Sequence, residues 1–367
     1  MCGMSTVKRW FLGSTTDDIL SVSMLEPLGP ASWQKLYTNF KSLKVVLDAS
    51  QDLLMRAGLT PNQADTLRNR PNSVDSAKRL LTSKKIEIIT IDSPDYPVLL
   101  KEIDDPPLWL FCRGNKKILQ KTCLTIVGTR KPSSYALLAA EKLLPEELVA
   151  QLCLVSGLAY GVDKKVHQLS LKFGSPTIAV LAGGLDSIYP ADHSRLADQV
   201  VSSGGLLITE YPPLSRPRPA KFPIRNRIIA GLSKVTVVLE AAIRSGSLTT
   251  AKAALDYNRE VMAVPSEITR RNTDGTNFLI KQGATLLDDP YQLFDIYGLK
   301  SKKIADTLDA PAHQLLHLLA KESLAVDQIA ALTKTSIPEI LGILTELELL
   351  GQVFQSRPGF YQAKKNV

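Results

Sequence analysis

Residues 123–157 read CLTIVGTRKPSSYALLAAEKLLPEELVAQLCLVSG. A short apolar run closes on a glycine turn, a helical stretch follows, and a second apolar run closes on another glycine. An unbroken apolar run suits a strand buried on both faces, and successive parallel strands need a crossover between them, usually helical. The alternation continues through TIAVLAGG (177–184), GLLITE (205–210), VTVVLEA (235–241), VMAVPS (261–266) and ATLL (284–287). The expected fold is therefore α/β: an extended Rossmann-like, doubly wound and mostly parallel sheet within 76–300. In such sheets ligands bind beyond the carboxyl ends of the strands, so the residues that end each run come first.

The flanks differ in kind. From Thr15 to about Asn72 apolar residues recur at helical spacing on either side of Gly29-Pro30, which predicts a small helical domain over 1–75. The Gly-Pro turn fits a plain bundle linker or a helix-hairpin-helix whose amides hold a phosphate. The following IDSPDYPVLLKEIDDPPLWLFCRG (91–114) is too rich in proline for helix, and is expected to run extended and add edge strands. Beyond 300, three helical stretches and two short strands around Pro358-Gly359 give the order of a winged helix over 301–367, with 325–332 and 337–349 as its helix-turn-helix pair.

The totals narrow the class. A chain of 367 residues with 44% hydrophobic side chains can bury several cores, and a formal net charge of +8 favours anionic partners. Cys2, Cys112, Cys123 and Cys153 form no CxxC pair, so neither a disulfide framework nor a zinc site is expected. The opening MCGMSTVKRWFLG has no apolar signal core and nowhere do eighteen apolar residues run together; a cytoplasmic protein without a membrane partner is expected. His313 and His317 stand four apart without a third ligand, so no metal is expected, and His167 and His193 read as structural.

Several strand ends carry small turns: Gly128-Thr129-Arg130, Ser156-Gly157 and Ala182-Gly183-Gly184. Glycine there lets backbone amides approach an anion, with the next helix N-terminus adding its dipole. Neither GxxxxGK[ST] nor GxGxxG is present, so no nucleotide cofactor is expected. Charge gathers instead in KFPIRNRIIAGLSK (221–234), where Lys221, Arg225 and Arg227 surround Phe222 and Asn226, and no acid occurs between Tyr211 and Leu239. Cations that follow a backbone, beside an aromatic face for a base, are what single-stranded nucleic acid requires. Glu240 at a strand end, before Ser245, Gly246 and Thr249, has two readings: a carboxylate for ribose or glycosidic chemistry, or the start of a plainly capped helix.

The blocks VGTRKPSSYA, SGLAYGVDKKVH, IAVLAGGLDSIYP, GLLITEYPP, KFPIRNRIIAGLSK, VVLEAAIRSGSLTTAKAAL and GTNFLIKQGA occur in this order, and together they resemble the bacterial DNA-processing family DprA, also called Smf, over roughly 90–290. The resemblance implies a non-catalytic protein that binds single-stranded DNA, protects it in natural transformation, loads the RecA recombinase onto it and acts as a homodimer. It implies a nucleic-acid site of Gly128, Arg130, Ser156, Gly157, Lys221, Phe222, Arg225, Asn226, Arg227, Ser245, Gly246 and Thr249, with Arg130 as a phosphate clamp. Three positions depart from the family pattern: Tyr160 where arginine is commonest, Ala182 where cysteine is frequent, and Ser266 where glycine follows valine-proline. Losing the arginine removes one phosphate contact, while a tyrosine offers a stacking face.

Two other readings compete. A Rossmann-like phosphoribohydrolase would carry PGGxGTxxE, but the corresponding stretch reads AIRSGSLTTAK, with no Glu after the Thr. A scaffold with an inert sheet is the other. The winged-helix segment 301–367 holds seven basic and seven acidic residues, and its second helix-turn-helix helix has Glu339, Glu346 and Glu348 but no Lys or Arg. Phosphate contact needs cations, so this segment is expected to meet protein rather than DNA.

Overall fold

The apolar runs assemble into one nine-stranded sheet in the computed structural model, which describes residues 9–269, 273–301, 310–349 and 352–363; Cys2 lies outside them. Its strands are β1 (Glu87–Thr90), β2 (Trp109–Gly114), β3 (Cys123–Val127), β4 (Cys153–Ser156), β5 (Thr177–Val180), β6 (Leu206–Thr209), β7 (Val235–Val238), β8 (Glu260–Ala263) and β9 (Thr285–Leu286), in the spatial order β1-β2-β6-β5-β4-β3-β7-β8-β9. From β6 through β9 every neighbour is parallel, whereas β2 runs antiparallel to both β6 and β1. The proline-rich segment thus supplies the antiparallel strand β2, and the edge strand β1 directly precedes that segment. Strands β3 to β7 are buried at every residue, as helices on both faces demand.

Connectivity fixes where a ligand can sit. The chain leaves β3 for β4 on one side, continues outward to β6, then returns to lay β7 on the other side of β3. The turns after β3 and β7 therefore diverge, opening a crevice at their carboxyl ends. The return from β6 to β7 carries the helix Lys221–Gly231, and Thr125 of β3 donates its hydroxyl to the Ile229 carbonyl at 2.7 Å. The basic stretch is thereby anchored on the sheet rather than left in a loop.

The chain packs as two compact units, 1–299 and 300–367. In the first, six short helices from Thr16–Ser23 to Asp75–Ser83 share a core with the sheet edge. Trp33 meets Trp109 of β2 edge-to-face at 5.1 Å, and Phe11 approaches the same ring at 6.5 Å. Such pairs contribute roughly 0.5–1.5 kcal/mol each beyond the area they bury. Pro30 opens the helix Pro30–Asn39, where its missing N–H costs nothing, which explains the break read at Gly29-Pro30.

The second unit is a winged helix with its own core. Helices Ala310–Leu319, Val326–Thr333 and Ile337–Leu349 pack around Leu315, Leu319, Ile329, Ile340, Leu344 and Leu347. Strands β11 (Val353–Arg357) and β12 (Phe360–Ala363) form the wing hairpin, and β10 (Leu324–Ala325) pairs with β12 as a third strand. Sequence reading had missed β10, since two residues carry no periodicity. No helix among the described residues is long and apolar enough to cross a membrane.

Candidate nucleic-acid interface

The turn after β3 is pinned from beneath. A Cβ on Gly128 would sit 2.5 Å from Val162 Cγ2, so only glycine lets the helix Val162–Lys172 come this close. The Thr129 N–H donates to the Glu240 carbonyl at 2.7 Å, and Ser133 gives its N–H to Glu240 Oε1 at 3.1 Å and its hydroxyl to Oε2. Ser133 also caps the helix Ser134–Leu143, accepting from the Ala136 N–H at 3.1 Å. Both oxygens of the buried Glu240 carboxylate thus hold the loop. On the loop so fixed, Arg130 and Lys131 are exposed. Arg130 lies 5.3 Å from the centre of the Phe222 ring and, among the described residues, pairs with no carboxylate.

The helix Lys221–Gly231 sends its polar side chains in different directions. Arg225 is buried; its Nη1 donates to the Val180 carbonyl at the end of β5 at 2.6 Å, and its guanidinium lies 5.9 Å from the Phe222 ring centre. It shares space with Asp163 across Gly157, where a Cβ would stand 2.2 Å from Arg225 Nη1 and 2.3 Å from Asp163 Oδ2. Desolvation lowers the Arg225 pKa and raises that of Asp163, and the attraction between the two opposes both shifts. Asn226 Nδ2 donates to the Gly246 carbonyl at 3.1 Å and to Thr249 Oγ1 at 2.9 Å, latching this helix to the start of the helix Gly246–Asp256.

Arg227 and Lys221 point elsewhere. Arg227 Nη2 donates to Glu210 Oε1 at 2.6 Å and Oε2 at 2.5 Å, with Asp105 Oδ2 3.6 Å from its Nε. Lys221 Nζ donates to Ser215 Oγ at 2.7 Å and the Arg216 carbonyl at 3.0 Å, 3.6 Å from Glu26 Oε1. Arg218 also meets Glu26, at 2.9 Å. Acids at 26, 105 and 210 therefore answer the charge that no neighbour in sequence answers. Ser156 is buried too, donating its hydroxyl to the Ile126 carbonyl at 2.7 Å.

What remains is a cleft of about 450 Å³ at the β3/β7 crevice. Of the residues expected at the site, Gly128, Arg130, Phe222, Arg225, Asn226, Ser245 and Gly246 line it. Thr249 borders an adjoining hollow with Arg130, Phe222 and Asn226. Ser156, Gly157, Lys221 and Arg227 are not brought to its wall. Ser245 Oγ accepts the Ser247 N–H at 3.2 Å, and the helix N-terminus behind it opens onto the cleft, offering amides and a positive dipole end to an anion.

Sequence reasoning missed Lys131, beside Arg130, and Tyr189, whose ring is 53% exposed and meets Phe222 edge-to-face at 6.0 Å. Adjacency to Arg130 was a usable signal for Lys131; nothing local marked Tyr189. Tyr160 donates its hydroxyl to Asp192 at 2.8 Å and rests its ring 4.8 Å from His193. Both histidines are buried and bond strand-end groups: His167 meets Thr177 Oγ1 and the Gly157 carbonyl, and His193 the Leu158 carbonyl.

Known proteins match this chain over both units. The family model described as DNA recombination-mediator protein A matches residues 87–298, and that of the DprA winged helix domain matches 300–359. Protein Smf of Escherichia coli (strain K12) is 36% identical, over 85% of this chain and 87% of its own. DNA processing protein DprA of Bacillus subtilis (strain 168) is 35% identical, over 74% of this chain and 91% of its own. The X-ray structure of DprA from Streptococcus pneumoniae superposes with a TM-score of 0.63 at 32% identity, covering 76% of this chain and 95% of that one. DNA processing protein A from Helicobacter pylori, solved for its single-stranded DNA binding mode, superposes with a TM-score of 0.51 at 27% identity, covering 58% of this chain and 95% of that one.

Proposed function

The chain belongs to the DprA/Smf family of DNA recombination-mediator proteins, and from that premise we propose that it binds single-stranded DNA in the β3/β7 cleft and passes it to the RecA recombinase. The observation that carries the proposal is Arg130: an exposed cation with no carboxylate partner among the described residues, held over Phe222 at the mouth of the crevice. In this reading Arg130 and Lys131 take phosphates, the Gly246 amide at the start of the helix Gly246–Asp256 takes a further one, and Phe222 offers a face to a base. Arg225 and Asn226 shape the wall from behind. Ser156, Gly157, Lys221 and Arg227 serve by holding the strand ends and the helix Lys221–Gly231 in place.

The protein performs no covalent step of its own in this reading. It works as a homodimer that protects incoming single strands in natural transformation and seeds recombinase filaments on them. The single-stranded DNA binding mode described for the Helicobacter pylori relative supports the ligand class. A direct test follows ATP hydrolysis by RecA on single strands already coated with a single-strand-binding protein. Added wild-type protein should shorten the lag, and Arg130→Ala should not; an unchanged lag with both proteins would sink the loading role.

A further inference from the structure

Besides the hollow it shares with Thr249, Arg130 borders two others. On one side lies the cleft at β3 and β7; on the other, a smaller opening beyond the ends of β4 and β5 is lined by Tyr160, Ala182, Gly183, Tyr189, Phe222 and Arg130 itself. The second hollow, about 40 Å³, is much smaller than the cleft, and aromatic side chains stand at its mouth. The aromatic rings at that mouth are not equally available. Phe222 is half-buried and already meets Arg130, Arg225 and Tyr189. Tyr160 has its hydroxyl bound to Asp192 and its ring against His193. Tyr189 keeps 53% of its surface exposed and, among the described residues, meets one ring, Phe222, edge-to-face at 6.0 Å.

We propose that Tyr189 is a second base-stacking platform, taking the nucleotide on the far side of the phosphate that Arg130 holds, so that the strand runs from the β3/β7 cleft across the ends of β4 and β5. The inference rests on the single-strand reading above and extends its footprint by one base. A ring held by a neighbour loses little freedom on binding, and base–aromatic stacking tolerates any sequence because every base has a π-face. Tyr160 forms the outer wall of this trough, where its ring replaces the arginine commonest in the family pattern.

The test uses a fluorescein-labelled oligo-dT of the shortest length that binds wild type at full affinity, with one abasic site moved along it position by position. In wild type, abasic sites at two separated or neighbouring positions should each weaken binding by about 5- to 100-fold. Tyr189→Ala should erase the penalty at one of them and leave the other, which Phe222→Ala should erase in turn. Tyr189→Phe should behave as wild type, and Tyr189→Ala should leave the slope of log affinity against log salt unchanged, since no phosphate contact is lost. If Tyr189→Ala leaves every abasic penalty in place, or lowers affinity equally at all positions, the platform is disproved while the cleft survives. If wild type does not bind the intact oligonucleotide, both fall together.

Discussion

The Arg227 guanidinium grips both carboxylate oxygens of Glu210, at 2.6 and 2.5 Å, with Asp105 as its third partner. The arginine is 5% exposed, and its partners lie just after β6 (Glu210) and before β2 (Asp105), neither of them in the cleft wall. A buried guanidinium is tolerated because Glu210 and the Asp105 carbonyl meet its two Nη atoms, with the Asp105 carboxylate 3.6 Å from Nε. Arg227, one of the residues the resemblance includes in the nucleic-acid site, here anchors its helix.

Removing one member of such a pair leaves the other charge buried and unanswered. Arg227→Ala should lower unfolding stability by about 3–5 kcal/mol, measured by urea denaturation. Its folded fraction should bind single strands with an unchanged salt slope. A loss below about 1 kcal/mol would mean that the pair behaves as a surface contact.

Asn226 makes a subtler link, joining the helix Lys221–Gly231 to the Gly246 carbonyl and Thr249 hydroxyl. Asn226→Ala strips two hydrogen bonds and should cost about 1–3 kcal/mol. Because those bonds position the helix N-terminus that opens on the cleft, single-strand affinity should also fall, by roughly 5-fold if about 1 kcal/mol of that cost falls on the bound state. Unaltered affinity would separate the latch from the site.

His167 is buried, and desolvation holds its pKa down at about 4. Its ordinary value is about 6.5, so between those two pH values the unfolded chain binds a proton that the folded one refuses. Stability from this residue is complete above about pH 6.5 and is lost as pH falls through 4, by roughly 3 kcal/mol in all. Thermal unfolding followed from pH 7 to 4 should show a decline that is shallower in His167→Gln, even though that variant starts lower. Parallel declines would assign the acid sensitivity to other groups.

The winged-helix unit has its own core and a neutral charge balance, and its second helix-turn-helix helix, Ile337–Leu349, carries three glutamates. A chain ending at 299 should bind single-stranded oligonucleotides within about 5-fold of the full chain, because the counterion-releasing cations all lie before that point. A loss beyond 100-fold would place DNA contacts in the second unit.

The fold was legible because its strands are short apolar runs between helical stretches, a pattern set by burial on both faces. The crevice was legible too, through the glycines at the strand ends. The division of labour inside KFPIRNRIIAGLSK was legible only in part. One helical turn sends Arg225 to a strand-end carbonyl, Asn226 to a neighbouring helix and Arg227 to Glu210. Their partners are 17 to 45 residues away in sequence, so no local pattern could show which cation was already neutralised. Tyr189 was missed for the same reason: its role depends on Phe222, which only the fold brings near.

The most direct test of the central claim is fluorescence anisotropy of a labelled single-stranded oligonucleotide and its duplex, titrated across salt concentrations with wild type and Arg130→Ala. The account expects tighter binding of the single strand, and a log affinity that falls with log salt by about 0.7 per phosphate contacted, the slope being shallower by about that amount in Arg130→Ala. Equal slopes in the two proteins, or no preference for the single strand, would contradict a phosphate clamp at Arg130.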